Sequence, residues 1–87
     1  SVFNRNKSSL NSLYERERRT NLGLQGRVIF QLVIEPSGMV SSVKLVSSEL
    51  NHSSLESRLS ARVKQFQFAP SSGKAVTVTF PVEFRPS

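Results

Sequence analysis

Val76-Thr77-Val78-Thr79-Phe80-Pro81-Val82-Glu83-Phe84 places valine or phenylalanine at every second position, with Thr77, Thr79, Pro81, Glu83 and the following Arg85 between them. A side-chain period of two is the signature of a strand with one buried face. Upstream, Val28, Phe30, Leu32 and Ile34 alternate with Ile29, Gln31, Val33 and Glu35, so 27–35 reads as a second such strand. Pro36-Ser37-Gly38 supplies a fixed φ and then a residue tolerant of positive φ, which predicts a tight turn and an antiparallel return over 39–47. In that return Val43 and Leu45 share one parity while Val40 and Val46 share the other, and a bulge near Ser41-Ser42 reconciles them.

Two helical patterns frame these strands. Leu10, Leu13 and Tyr14 recur at helical spacing, Glu15 precedes Arg19 by one turn, and Gly23 is a natural stop, so a helix is predicted over 7–22. Residues 1–9 are set apart as a flexible N-terminal segment ahead of a domain spanning 10–87, because 1–6 carry only Val2 and Phe3 as apolar content. Ser53 followed by Glu56 reads as a capping box. Leu55, Leu59, Val63 and Phe66 then repeat until Phe68-Ala69-Pro70 breaks the run.

The predicted order is helix, strand, strand, helix, strand, an α+β domain whose sheet follows from direction counting. The first two strands form a hairpin, and the second helix carries the chain back so that the last strand runs antiparallel to the first. A right-handed crossover then gives the sheet order two-one-three with both helices on one face, against Phe30, Leu32, Phe80 and Phe84. The last strand is therefore an edge. Pro81 agrees, since proline lacks the donor a central strand requires. If Pro81 faces the open side, the backbone groups of Thr77, Thr79 and Glu83 face it too. Pro81, Glu83 and Arg85 blunt the far half of this edge, whereas Ala75, Val76, Thr77, Val78, Thr79 and Phe80 carry no charge and no proline. These six residues form the candidate site for an extended peptide that adds as a further strand.

Composition narrows the alternatives. A chain of 87 residues makes one domain with a small core. Cysteine is absent, which excludes disulfides, thiolate metal sites and thiol catalysis. His52 is the only histidine and reads as a loop residue beside the second helix. There is no G-x-S-x-G turn, carboxylate pair or phosphate-binding glycine loop, so neither an enzyme nor a cofactor is expected. The net charge of +6 favours anionic partners. Arg58, Arg62 and Lys64 on the second helix are the candidate basic surface. Nucleic acid is not expected, because Glu15, Glu17 and Glu56 dilute the patch and the aromatic residues sit at core parity. No apolar run reaches the length of a membrane span. A start at Ser1 gives the expectation of a piece of a longer protein, with any anchor upstream.

Gly26-Arg27-Val28, Ile34-Glu35-Pro36-Ser37-Gly38, Val43-x-Leu45-Val46-Ser47-Ser48, Phe66-Gln67-Phe68-Ala69-Pro70 and Val78-x-Phe80-Pro81-Val82-x-Phe84 together resemble the C-terminal domain of TonB-type energy transducers. Tyr14 ahead of Leu24-Gln25-Gly26 is most similar to the AgmX/PglI branch, and the likeness covers 10–86. The resemblance implies a periplasmic domain of an inner-membrane-anchored protein, driven by an ExbB/ExbD-like motor through a region outside this chain. It also implies that the last strand pairs with a peptide of an outer-membrane or envelope protein. The Tyr-Pro start common in siderophore-system members is replaced here by Tyr14-Glu15, which points to a different partner. Two other readings stay open: binding of peptidoglycan or another anionic polymer through the basic helices, and homodimerisation through the free edges.

Overall fold

A computed structural model describes residues 2–86. The elements are α1 (Val2–Arg18), β1 (Gly26–Ile34), β2 (Val40–Ser48), α2 (Ser53–Lys64) and β3 (Val76–Phe84). The three strands form one antiparallel sheet in the order β2-β1-β3, as direction counting predicts. No helix is long and apolar enough to cross a membrane among the described residues.

β1 is central and its alternation is plain: Val28, Phe30 and Leu32 are fully buried while Arg27 and Gln31 are exposed. Both helices cover the buried face. α2 lies across β2 and beside α1, and α1 reaches β3. Leu10 and Tyr14, one helical turn apart, and Leu55, Leu59 and Val63 meet Phe30, Phe80 and Phe84 in a continuous apolar core. Ring centroids lie 5.1 Å apart for Tyr14 and Phe84 and 6.1 Å apart for Phe66 and Phe80, within the range of favourable aromatic contacts.

The boundaries of α1 differ from the predicted 7–22. The helix starts at Val2, so its backbone runs through 2–9, and it ends at Arg18, ahead of the stop expected at Gly23. Tertiary contact explains the early end. The chain unwinds through turn bonds from Thr20 N to Glu17 O and from Asn21 N to Arg18 O. That reversal lets the buried Tyr14 hydroxyl donate to Leu24 O at 2.6 Å. A buried carbonyl left without this donor would be costly, which outweighs one more helical turn.

The bulge expected near Ser41-Ser42 is present. Pairing passes from Val33 with Ser42 to Ile34 with Val40, leaving Ser41 extra. A second irregularity leaves Val46 extra, between the pairs Ile29 with Ser47 and Phe30 with Leu45. Together they bring Val40, Val43 and Leu45 to the core face and leave Val46 52% exposed.

The expected capping box at Ser53 is corrected, because the N-cap is His52, whose Nδ1 accepts from Leu55 N at 3.1 Å. Glu56 Oε2 accepts from Ser48 Oγ at 2.6 Å and reaches His52 N at 3.5 Å. The reciprocal logic of a capping box is kept, with the imidazole in place of a hydroxyl. His52 is therefore a structural residue rather than a loop bystander: its Nε2 lies 3.1 Å from Glu17 Oε1 on α1.

Candidate functional site

The direction of the backbone groups along β3 follows from a single residue of β1. Arg27 N donates to Glu49 Oε1 at 2.7 Å, and Arg27 O accepts from Glu49 N at 2.9 Å. Both groups thus aim at the β2 side. In a strand the N–H and C=O of one residue share a side, and the side alternates along the chain. Gly26, Val28, Phe30, Leu32 and Ile34 accordingly aim at β3. The β1–β3 register holds for nine consecutive pairs without a shift, from Gly26 opposite Phe84 to Ile34 opposite Val76. Val76, Val78, Phe80, Val82 and Phe84 therefore aim back at β1, and Thr77, Thr79, Pro81 and Glu83 aim outward. Pro81 costs no ladder bond there because its missing N–H would have pointed away from β1. Among the described residues β1 is the only strand that pairs with β3.

The six candidate docking residues divide by this alternation. Thr77 and Thr79 are exposed and direct their backbone groups to the open side. Ala75 is exposed just before the strand, Val76 is 53% exposed and Val78 is half-buried. Phe80 is buried, with its ring against Phe30 and Phe66, so its side chain serves the core. The apolar side chains of Val76 and Val78 stand at the less buried end of β3. A guest strand would meet backbone donors and acceptors at its flank and two valines on one face.

The candidate basic residues are less uniform than the sequence implies. Arg58 Nη1 lies 3.3 Å from Glu17 Oε2, and Arg62 donates to Ser9 Oγ, so both stitch α2 to α1. Lys64 is exposed at the end of α2. Glu17 thus receives His52 on one oxygen and Arg58 on the other.

A charged cluster that the residue pattern did not single out lies at the other end of the edge. Arg27 Nη2 and Glu83 Oε1 are 2.7 Å apart across the β1–β3 pair, and Arg85 bonds the second Glu83 oxygen. The hydrogen bond from Arg27, then that from Arg85, holds the Glu83 carboxyl below the usual carboxylate range. Beside it opens a groove of about 640 Å³ lined by Gly26, Arg27, Glu49, Glu83, Phe84 and Arg85 among others. The signal available in the sequence was the cross-strand opposition of Arg27 and Glu83, legible only once the register is known.

Comparison with known proteins adds two findings. The family model described as Gram-negative bacterial TonB protein C-terminal matches residues 16–86. Among solved structures, that of HasB CTD is similar to this chain at 27% identity and a TM-score of 0.50, over 90% of this chain and 67% of that one. No curated protein matches the chain.

Proposed function

We propose that this chain, which belongs to the family of Gram-negative bacterial TonB protein C-terminal domains, is the partner-docking end of an energy transducer and receives an extended peptide along the open edge of β3. The observation that carries this reading is the unbroken β1–β3 register, which directs the backbone groups of Thr77, Thr79 and Glu83 away from the sheet. A force-transmitting contact built on a strand edge has a physical advantage. Each backbone bond is weak in net terms, on the order of 0.5–1.5 kcal/mol, yet a ladder loaded along its length shares the load among several bonds.

In this reading the domain works in the periplasm, is anchored in the inner membrane through a region outside this chain, and is driven by an ExbB/ExbD-like motor. The guest is a segment of an outer-membrane or envelope protein. The AgmX/PglI branch is the proposed source of its partner preference, on Tyr14 and Leu24-Gln25-Gly26. The bond from the Tyr14 hydroxyl to Leu24 O supports treating those two motifs as one device.

Affinity for an isolated peptide should be modest, about tens of micromolar or weaker, because ordering the peptide offsets much of the gain. Titration of the 15N-labelled domain with envelope-protein segments is expected to shift the amides of Thr77 and Thr79 first. Shifts confined to α1 and α2 would reject strand addition and favour the anionic-polymer reading through Arg58, Arg62 and Lys64. The 53% exposure of Val76 beside the open edge also favours pairing of two β3 edges in a homodimer. Concentration-dependent sedimentation separates that case from a monomeric receptor.

A further inference from the structure

Glu49-Leu50-Asn51-His52-Ser53 joins β2 to α2, and its last three residues have the form Asn-x-Ser with a residue other than proline between. That tripeptide is an acceptor for N-linked sugar, and the docking edge makes no use of it. Asn51 is exposed and turns the chain at φ +52°, a left-handed conformation that asparagine tolerates better than most residues. Ser53, also exposed, opens α2. Among the described residues neither side chain has a hydrogen-bond partner. Leu50 is buried on one side of the tripeptide and Leu55 on the other, so it is held outward between two core anchors.

Asn6-Lys7-Ser8 has the same form and supplies a contrast. It lies inside α1, and Asn4 rather than a carboxylate stands two residues ahead of it. A transferase must draw its acceptor peptide clear of the fold, which is easy at a loop or helix terminus and costly inside a helix. At 51–53 only the bonds of His52 have to open: those from Leu55 N to its Nδ1 and from Glu56 N to its carbonyl, the long contact of its N with Glu56, and its contact with Glu17. Glu49, two residues ahead of Asn51, is exposed. One of its oxygens accepts from Arg27 N at 2.7 Å, and the other is left to pair with a basic subsite of an enzyme.

Resting on the periplasmic location in the reading above, we propose that Asn51 is an N-glycosylation site, modified by an oligosaccharyltransferase from a polyprenyl-diphosphate-linked oligosaccharide. Asn51 Nδ2 bonds to the anomeric carbon of the first sugar as the bond from that carbon to the diphosphate oxygen breaks. The polyprenyl diphosphate leaves with the electron pair, and the proton lost from Nδ2 passes to a base of the transferase. The Ser53 hydroxyl and the Glu49 carboxylate are the groups by which the enzyme holds the peptide. Position makes the modification compatible with docking. Asn51 follows β2, which lies across β1 from β3, at the end of the sheet where Val28 pairs with Ser48. Val76 and Phe80 pair with Ile34 and Phe30 toward the other end, so a bulky, solvated glycan leaves that edge clear.

The test is tandem mass spectrometry of the protein isolated from the envelope of its own bacterium. Trypsin cleaves after Lys44 and Arg58 and leaves the whole acceptor in peptide 45–58. That peptide is expected to carry one oligosaccharide on Asn51. The glycan should be absent in Asn51→Gln and Ser53→Ala, kept in Ser53→Thr, and reduced about tenfold or more in Glu49→Gln, which keeps the acceptor for Arg27 N and removes the charge. Ser53→Ala leaves the turn at Asn51 untouched, and an unchanged amide spectrum shows that the acceptor, not the fold, was lost. Peptide 45–58 found only at its unmodified mass overturns the proposal and leaves strand docking in place. A glycan on Asn6 in its stead overturns it as well. Undiminished occupancy in Glu49→Gln overturns the part given to that carboxylate. If Asn51 carries the glycan but Thr77 and Thr79 respond to no envelope segment in the modified or the bare chain, docking falls and the modification stands. Recovery of the protein from the cytosol overturns both.

Discussion

The two edges of the sheet are strands of equal length with opposite fates. β2 is interrupted by extra residues at Ser41 and Val46, carries Lys44 between them, and is closed at its start by the Met39–Gln67 bridge. The same segment adds a bond from Phe68 N to Gly38 O at 2.8 Å, and Gln67 Nε2 donates to Ser37 O at 3.1 Å. β3 keeps nine residues in straight register, and its first half has neither charge nor proline. Bulges, charge and a covering segment are the means by which proteins stop a strand edge from pairing with another chain. The chain applies all of them to β2. On β3 it applies proline and charge to the C-terminal half, and in the other half the backbone groups of Thr77 and Thr79 aim away from β1. Selective protection of one edge is what a domain needs if pairing at the other is its work.

The covered edge is the place for the largest effect. Gly38 sits at φ +93°, and a Cβ there would stand 2.0 Å from Phe68 O. Gly38→Ala must both strain the backbone and push the 67–68 segment off the start of β2. A loss of about 3 kcal/mol or more is expected in denaturant unfolding, with new concentration-dependent association as that edge is uncovered. An unchanged midpoint would mean that the segment does not guard β2.

On the open edge, neighbouring residues should respond in opposite ways to proline. The Val78 amide points into β1, so Val78→Pro removes a ladder bond and should cost about 3 kcal/mol. The Thr79 amide points outward, so Thr79→Pro should cost less than about 1 kcal/mol in stability and abolish peptide docking. Equal destabilisation by the two would break the assignment of the outward-facing residues.

The smallest effect concerns the charged end of β3. A carbon-detected NMR titration should place the Glu83 midpoint below the ordinary carboxylate range, and Arg27→Gln should move it upward. Because the folded value is depressed, the contribution of this pair is present above the ordinary glutamate range and is lost as pH falls through the folded midpoint. Acid should therefore loosen the end of β3 as pH falls through that depressed midpoint. A midpoint unmoved by Arg27→Gln would show that Arg27 does not hold the carboxylate.

Much of this was legible in the residues. The alternation of β1 and β3, the proline at position 81 and the order of elements are enough to derive the sheet order and the open edge. Three features were not. The second bulge at Val46 shows only when the pairs on both sides of it are known, since a lone valine at the wrong parity has no local mark. His52 carries no cap signal in the sequence, because serine, threonine, aspartate and asparagine are the usual caps. Its ring is held by Glu17, a residue of α1 that the sequence does not place nearby. The charged cluster around Glu83 depends on the β1–β3 register.

By itself, then, the sequence determined which residues face inward, where the chain turns, and that its final strand lies at a sheet edge. Those properties follow from period, turn chemistry and the missing proline donor, all of which act within a few residues. Only the tertiary structure decided which edge is guarded, how Arg27 and Glu83 come together, and which cations border the open strand. Each of these brings together groups distant in the chain, and the distance between such groups is set by packing rather than by any local preference of the backbone.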